Sequence, residues 1–321
     1  MADPEIICAG MVLVDVLVEG IEAMPRSGET GLVSGVSLAT GGDAINQAMS
    51  LAKLGDRVGL IGLIGDDILG QFIKDQCAQY GIAVDGLCVD PDRSTSTSIV
   101  LIDQRGERSF LAQRNASIGA FGPEHVNLDQ IRPGLRALSI GSLFCAPRFD
   151  QEALAPLLRK AKSVGAITVA DMVMDQQGYG LAGLSAAWPY LDYVVPSELE
   201  AEIFTGSSDP GVIAADFQER GVSNVVLKRG SRGVVAYLGD AEIACPAFAA
   251  PVVDTTGAGD NFVGGFVHAL VHGFTADRAL RFASAVAALS LRAVGAGAGL
   301  KDLAQVEDFL SSHRPPIDPS R

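Results

Sequence analysis

The stretch Asp254-Thr255-Thr256-Gly257-Ala258-Gly259-Asp260 joins a short apolar run, residues 249–253, to a long alanine-rich apolar segment that begins near Asn261. Its small residues allow the backbone to approach a ligand closely, and glycine tolerates the dihedral angles of a tight loop. A helix that begins at Ala258 or Gly259 would direct free backbone N–H groups and the positive end of its dipole into this loop. The stretch therefore predicts a site for an anion.

Two carboxylates, Asp254 and Asp260, flank this predicted anion site and would repel an anion bound there. The contradiction disappears if Asp260 accepts a proton from a hydroxyl group while the N–H groups hold a phosphate that is being transferred. The same residues also fit a glycine-rich turn in which Asp260 caps the helix. The stretch alone does not decide between these two interpretations.

Composition narrows the possible functions. A chain of 321 residues, of which 48% are hydrophobic and 19% charged, is typical of a globular protein with a large core. The formal net charge of −14 argues against binding to nucleic acid or to an anionic membrane. The five scattered cysteines indicate reduced thiols, the first residues are acidic where a signal peptide would be basic, and no apolar run reaches transmembrane length. We therefore expect a cytoplasmic protein.

Strand-like apolar runs alternate with helical patterns along most of the chain. The first run, residues 6–14, is nearly continuous and ends at Asp15, as expected of a strand buried on both faces. Because ligands collect beyond the carboxyl ends of parallel strands, Asp15 is a candidate for binding a polar ligand, although a capping or turn role fits equally well. The alternation predicts an α/β core with a mainly parallel sheet.

Three short segments interrupt this alternation and predict a small separate sheet. Residues 30–38 alternate loosely, while residues 95–102 and 109–112 flank a polar tip and read as a hairpin. Such a sheet has one face to bury, so it would cover a site or pair with another subunit.

Familiar sequence motifs of other enzyme classes are absent. The chain has no P-loop signature, no G-x-G-x-x-G after the first strand and no G-x-S-x-G. His268 and His272 have the i, i+4 spacing of a zinc-binding helix, but Ala269 occupies the position of the metalloprotease glutamate. The sequence by itself therefore does not favour a metal site at these histidines.

With these features in place, the chain resembles the ribokinase-like (PfkB) carbohydrate kinases nearly from end to end. Gly41-Gly42-Asp43-Ala44-Ile45-Asn46-Gln47-Ala48 is similar to the N-terminal family signature, and residues 254–262 match the C-terminal signature Asp-Thr-x-Gly-Ala-Gly-Asp-x-Phe. The resemblance implies one ribokinase-like domain over residues 1–321, with a doubly wound, mainly parallel sheet. It also implies an inserted β-sheet lid, formed by about residues 15–40 and 94–114, through which two copies form a homodimer.

The resemblance further implies an ATP-dependent kinase that transfers the γ-phosphate to a hydroxymethyl group of a small carbohydrate such as ribose, fructose or a keto-sugar acid. Asp260 would be the catalytic base, and Gly257, Ala258 and Gly259 would supply N–H groups to the phosphate. The residues implied in sugar binding are Asp15, Gly41, Gly42, Asp43 and Asn46, and those near the nucleotide are Lys228, Gly230, Gly233 and Ser284. Glu200 would organise Mg²⁺ through water, and Asp254, Thr256 and Gly295 would hold a monovalent cation such as K⁺.

Some positions depart from the family pattern. Ser197 replaces the usual asparagine of the Mg²⁺ motif, Ser284 stands where ribokinases tend to have asparagine, and no proline occurs near Ala298. Asp43 replaces a lysine or a small residue, and an acid there favours a neutral polyol over a phosphorylated sugar, because it would repel a phosphate.

Two alternative functions stay open. A nucleoside kinase of the same fold needs an aromatic side chain against the base, and Phe110 and Phe121 are the candidates near the predicted lid. A catalytically silent sugar-binding homologue is the other alternative. Among sugars, a keto-sugar acid needs an arginine, which Arg105, Arg108 or Arg114 would supply.

Overall fold

The computed structural model describes residues 3–104, 107–113 and 115–313. The strands, numbered along the chain, are β1 (Ile6–Gly10), β2 (Leu13–Ile21), β3 (Gly35–Gly41), β4 (Val58–Gly65), β5 (Ala83–Asp90), β6 (Thr97–Asp103), β7 (Arg108–Ala112), β8 (Ala137–Leu143), β9 (Ile167–Met172), β10 (Tyr193–Val194), β11 (Asn224–Lys228), β12 (Val234–Leu238) and β13 (Ala241–Cys245). They form two sheets, one of nine strands and one of four. The predicted mainly parallel sheet and the smaller inserted sheet are both confirmed.

The large sheet has the order β13-β12-β11-β10-β9-β8-β1-β4-β5. All neighbouring strands from β5 to β11 pair in parallel, whereas β12 and β13 add an antiparallel hairpin at one edge. Each parallel connection crosses one face of the sheet. Together, the helices that form these connections cover both faces. This arrangement is the doubly wound sheet that the family resemblance implied.

The helices are α1 (Asp43–Lys53), α2 (Ile68–Gln79), α3 (Ser117–Ala120), α4 (Leu154–Ser163), α5 (Glu198–Thr205), α6 (Pro210–Glu219), α7 (Ala258–Val271), α8 (Ala276–Ser290) and α9 (Leu303–Ser312). One core packs α1, α2, α7, α8 and α9 against the sheet, and a second core packs α4, α5 and α6 against its other face. Among the described residues, no helix is long and apolar enough to cross a membrane.

The first predicted strand is wrong in its extent. The apolar run of residues 6–14 is divided between β1 and β2, and Gly10, the last residue of β1, has a φ of +135°. A Cβ at Gly10 would lie 2.3 Å from the carbonyl oxygen of Gly141, so only glycine fits at this crossing. Asp15 consequently lies within β2 of the small sheet and not at the end of β1. The run looked continuous because β1 and the start of β2 are both buried.

The small sheet has the order β3-β2-β6-β7. Its register places alternate residues on two faces: Asp15, Val100 and Arg108 share the face that turns towards the body of the protein. The opposite face carries exposed apolar side chains, namely Val36, Leu38, Ile99 and Leu111. The predicted hairpin is present as β6 and β7, while residues 105–106 at its tip lie outside the described residues.

Candidate active site

The start of α7 is the centre of the candidate site. Gly257 is the N-cap with a φ of +67°, and a Cβ there would lie 2.7 Å from the Cβ of Ala296. The position therefore requires glycine for its conformation and for its space. Ala258 and Gly259 form the first turn, where no helical carbonyl lies one turn earlier; the Ala258 N–H donates to the Thr255 carbonyl at 3.3 Å. The structure thus places a helix N-terminus where the sequence predicts an anion site.

Asp260 lies in this first turn and is held by the neighbouring helix α1. The Nδ2 of Asn46 donates to Oδ2 of Asp260 at 2.8 Å, and the side chain of Asp260 is buried. One turn further along α1, the Oγ of Ser50 donates to Oδ1 of Asn261 at 2.7 Å. The two family signatures, far apart in sequence, therefore meet side by side on parallel helices. The Oδ1 of Asn46 is buried and has no hydrogen-bond partner in the described chain, so it is available to a ligand.

Three carboxylates come together at this point. Oxygen atoms of Asp43, Asp171 and Asp260 lie within 4.8 Å of one another. Burial, followed by the charges of Asp43 and Asp171, raises the pKa of Asp260 well above its ordinary value. Burial and the charge of Asp171 raise the pKa of Asp43 to about 6, against a favourable hydrogen bond from Ser142. The cluster therefore has a high affinity for protons or cations.

Lys228 supplies the positive charge beside these carboxylates. Its Nζ donates to both carboxylate oxygens of Asp171, at 2.7 and 2.6 Å. Burial alone would lower the pKa of Lys228, but the charges of Asp171 and Glu200 outweigh it and raise that pKa. A Cβ at Gly259 would lie 3.1 Å from this Nζ, so the ammonium group stands against the first turn of α7. The ammonium group of Lys228 and the first turn of α7 thus face the same space.

A cavity of about 620 Å³ opens beside the start of α7. All four residues predicted to lie near a nucleotide line it: Lys228, Gly230, Gly233 and Ser284. The far walls are apolar and include Phe248, Phe262 and Leu291. A cavity with one charged end and apolar walls matches a molecule that has phosphates at one end and a planar base at the other.

Glu200 lies near this charged end of the cavity. Ser197 and Glu200 form a capping box at the start of α5: the Ser197 N–H donates to Oε2 of Glu200 at 2.8 Å, and Ser197 Oγ accepts from the Glu200 N–H at 3.2 Å. Burial raises the pKa of Glu200, and the charge of Lys228 opposes that rise. Ser197 therefore has a structural role, since its side chain caps the helix that carries Glu200.

The residues predicted for a monovalent cation also come together. The carboxylate of Asp254 accepts the N–H of Thr256 at 2.7 Å and the N–H of Gly295 at 2.6 Å. It also forms an ion pair with Arg108 of β7. These contacts lower the pKa of Asp254 although burial acts to raise it. The small sheet is thereby tied directly to the loop that precedes α7.

The predicted sugar-binding residues surround the opposite side of Asp260. A Cβ at Gly41 would lie 2.5 Å from Oδ2 of Asp15, and one at Gly42 would lie 2.5 Å from the Met11 carbonyl oxygen. Gly42 has a φ of +94° and is the N-cap of α1. Burial raises the pKa of Asp15 to about 6, against the charge of Arg108. The two glycines are therefore required for β2 and β3 to approach the start of α1 so closely.

Some site residues escaped the sequence analysis. Asp171 is the penultimate residue of the buried parallel strand β9, so the rule that ligands collect beyond the carboxyl ends of such strands could have indicated it. Ser142 contacts Asp43 and has a φ of +71°, which is uncommon for a residue other than glycine. No sequence pattern signals that strain.

Three arginines were considered for binding an acidic sugar. Arg108 forms an ion pair with Asp254, whereas Arg105 and Arg114 lie outside the described residues.

Comparison with known proteins agrees with this geometry. Residues 5–303 match the model of the pfkB family of carbohydrate kinases. The chain is 29% identical over 297 residues to a ribokinase of Haemophilus influenzae, which covers 89% of this chain and 92% of that protein. It is 28% identical over 303 residues to fructokinase-2 of Oryza sativa, covering 87% and 89% of the two chains.

Solved structures show the same fold. A provisionally assigned ribokinase II of E. coli in complex with ATP and Mg²⁺ superimposes with a TM-score of 0.84 at 25% identity, covering 97% of this chain and all of that chain (100%). Arabidopsis thaliana ribokinase in complex with ribose and ATP gives a TM-score of 0.83 at 25% identity, covering 96% and 98% of the two chains. The similarity extends over nearly the whole length of both structures.

Proposed function

The chain belongs to the pfkB family of carbohydrate kinases, and we propose that it transfers the γ-phosphate of ATP to a hydroxymethyl group of a small neutral sugar. The observation that carries this proposal is the position of Asp260. It lies at the N-terminus of α7 beside the cavity lined by Lys228, where its carboxylate accepts a hydrogen bond from Asn46 and lies within 4.8 Å of the carboxylate of Asp43. A hydroxyl bound beside Asn46 and Asp43 would face a phosphate bound at the helix N-terminus.

In this mechanism Asp260 accepts the proton of the attacking hydroxyl. Its raised pKa suits the role, because a base whose pKa approaches the working pH removes a proton more effectively. A positioned base contributes about 10²–10⁴-fold to the rate. Asn46, which donates to Oδ2 of Asp260, holds the carboxylate in place and leaves its own Oδ1 for a sugar hydroxyl.

The start of α7 stabilises the charge that moves during the transfer. The N–H groups of Gly257, Ala258 and Gly259 would hold the transferring phosphate, and each well-placed donor is worth about 3–4 kcal/mol in comparable sites. Lys228 places a cation against the same helix turn. Phosphoryl transfer requires mainly positioning and charge stabilisation, and this arrangement supplies both.

The carboxylates near Lys228 fit a magnesium ion that accompanies the nucleotide. Glu200 and Asp171 are oxygen ligands of the kind that Mg²⁺ prefers, either directly or through water. Such an ion neutralises part of the phosphate charge when it is bound.

A monovalent cation such as K⁺ has a different proposed site. It lies where the loops that contain Asp254, Thr256 and Gly295 meet.

The sugar pocket favours a neutral polyol. Asp15 and Asp43 are both acidic and buried, so they would accept hydrogen bonds from hydroxyls but repel a sugar phosphate. For a nucleoside, Phe121 is no longer a candidate for stacking, since it is fully buried against Phe149. Phe110 is exposed and lies on the same face of the small sheet as Arg108, so adenosine belongs in the test.

We further propose that the small sheet closes over the sugar as a lid, excludes water from the transfer and pairs with a second copy of the chain. Closure is supported by the ion pair between Arg108 and Asp254.

We also propose that the protein is located in the cytoplasm, the compartment that supplies ATP and keeps its free cysteines reduced.

The direct experiment measures ATP consumption with Mg²⁺ in the presence of ribose, fructose, ketodeoxygluconate or adenosine. We expect one of the neutral sugars to give the highest kcat/KM and adenosine to give a much lower one. If no sugar stimulates ATP consumption, the proposal fails. If adenosine is the best acceptor, the nucleoside kinase alternative replaces it.

A further inference from the structure

A second cluster of metal-ligating side chains lies at the opposite end of α1 and α7 from the candidate active site. It consists of Asp56, His268 and His272, whose ligand atoms all lie within 4.8 Å of one another. Sequence spacing indicated only the two histidines, and the third member became visible because α1 and α7 run in parallel. We propose that these three residues bind one Zn²⁺ ion per chain.

The donor atoms already lie close together. The Nδ1 of His268 lies 2.8 Å from Oδ2 of Asp56, and the Nε2 of His272 lies 2.9 Å from Oδ1. Ligands about 2.0–2.1 Å from a tetrahedral zinc are separated by about 3.3 Å, so the three side chains need to separate only slightly. Two imidazoles and one carboxylate are a ligand set that zinc accepts, with water completing the coordination.

The cluster is held rigidly before any ion arrives. Asp56 follows α1 in a Schellman turn, in which its N–H donates to the Leu51 carbonyl at 3.1 Å and the preceding Gly55 N–H donates to Ala52. The ring of His268 stacks on Phe282 with centroids 5.1 Å apart and meets the edge of Phe274. Neither side chain therefore has to be ordered by the ion, which reduces the cost of binding.

Charge and access also favour a cation. Asp56 and His268 are buried, with 6% and 4% of their side chains exposed, whereas His272 is 42% exposed and opens the cluster to solvent. The C-terminal end of α7 adds negative potential at the same place.

A bound ion would clamp two helices that both lead to the active site. α1 carries Asn46 and α7 carries Asp260 at their N-terminal ends, which are joined by the hydrogen bond described above. The zinc cluster joins the other ends of the same helices. We therefore expect binding to raise the melting temperature of the protein.

The test is calorimetric titration of chelator-treated protein with Zn²⁺, in excess Mg²⁺ to occupy the carboxylates near Asp260. The wild-type chain is expected to bind one ion more than the variant His272→Ala. The control variant His313→Ala removes a histidine that belongs to no such cluster among the described residues, and it is expected to bind like the wild type. Equal stoichiometry in wild type and His272→Ala overturns the proposal.

A second measurement identifies the ligands independently of stoichiometry. Cu²⁺ prefers the same nitrogen donors and reports them by nitrogen hyperfine splitting in its electron paramagnetic resonance spectrum. The proposal predicts splitting from two imidazole nitrogens in the wild type, from fewer in His272→Ala, and from two again in His313→Ala. A spectrum with oxygen ligands only, or a Zn²⁺-induced rise in melting temperature that persists in His272→Ala, contradicts the site.

Discussion

At Asp260, burial and two neighbouring carboxylates all favour the protonated form of the side chain. The charges of Asp43 and Asp171 raise its pKa, while Asn46 and Lys228 oppose them. Because Asp43 and Asp260 are buried close together, they titrate as a pair, and an activity profile reports apparent pKa values of that pair. The clustering of carboxylates around the proposed base therefore has a consequence that can be measured.

We predict that Asp43→Asn moves the acid limb of the kcat/KM profile to lower pH. Asp260 acts as a base only when it is deprotonated, so activity is lost as pH falls through its raised pKa. Asparagine at position 43 removes one of the charges that raise this pKa, and the loss of activity should then begin at lower pH. The profile of kcat/KM, recorded from about pH 4 to about pH 9, measures the shift.

The matched control is Asp216→Asn, because Asp216 pairs with Arg220 on the surface of α6, away from the site. Its acid limb is expected to coincide with that of the wild type. An acid limb that stays in place in Asp43→Asn would show that the two carboxylates are not coupled as the structure indicates.

Several residues of the candidate site can be predicted from the sequence, but the groups that surround them in the fold cannot. The glycine-rich signatures pointed to Asp260, Gly257 and Asn46 because small residues and helix starts have a local physical meaning. Asp171 was missed although its place near the carboxyl end of a buried strand could have indicated it, whereas Ser142 was missed because its contact, Asp43, lies far away in sequence. Local patterns indicate the chemistry of a side chain, whereas its pKa depends on groups that only folding brings near.

At the scale of elements, most strands and helices followed from the alternation of apolar patterns. The failure at residues 6–14 is instructive: the chain leaves the large sheet at Gly10 and enters the small sheet at Leu13 while staying buried. Hydrophobicity reports burial and not the sheet in which a residue is buried. Similarly, the ion pair that joins β7 to the loop before α7 has no signature in either segment.

We predict that Arg108→Gln weakens sugar binding. Arg108 joins the small sheet to Asp254, and the variant removes this tie while Asp254 keeps its bonds from two backbone N–H groups. The sugar KM should rise by about tenfold, which corresponds to about 1.4 kcal/mol, while the Kd for ATP changes little. Steady-state kinetics and ATP titration measure the two quantities.

Arg57→Gln serves as the control for this substitution. Arg57 pairs with Glu5 on the surface, where both residues directly precede strands of the large sheet. It should leave both constants unchanged. A sugar KM in Arg108→Gln equal to that of the wild type would remove the ion pair from any role in holding the lid.

At the scale of the whole molecule, the small sheet leaves one apolar face exposed. Val36, Leu38, Ile99 and Leu111 share this face, and Leu38 is 47% exposed. A sheet face of this kind is stable in water when it is covered by protein. The pattern of residues 30–38 and 95–112 predicted a sheet with a face to bury, but it could not say which side chains would remain uncovered.

We predict that the protein sediments as a dimer at micromolar concentration and that Leu38→Glu sediments as a monomer. A charge in the centre of an apolar interface would be buried without a partner. Val212→Glu is the control, since Val212 is exposed on α6, far from this face in the fold. A wild-type protein that sediments as a monomer would contradict pairing through the lid, as would a Leu38→Glu variant that remains dimeric.

The central claim is that Asp260 is the proton acceptor in phosphoryl transfer to a sugar hydroxyl. Its most direct test is the variant Asp260→Asn, which keeps an acceptor oxygen for the Asn46 amide but cannot take up the proton. With the best sugar from the panel, we predict an unchanged fold, an unchanged Kd for ATP and a kcat lower by about 10²–10⁴-fold. A variant that binds ATP normally and turns over the sugar at nearly the wild-type rate would contradict the account.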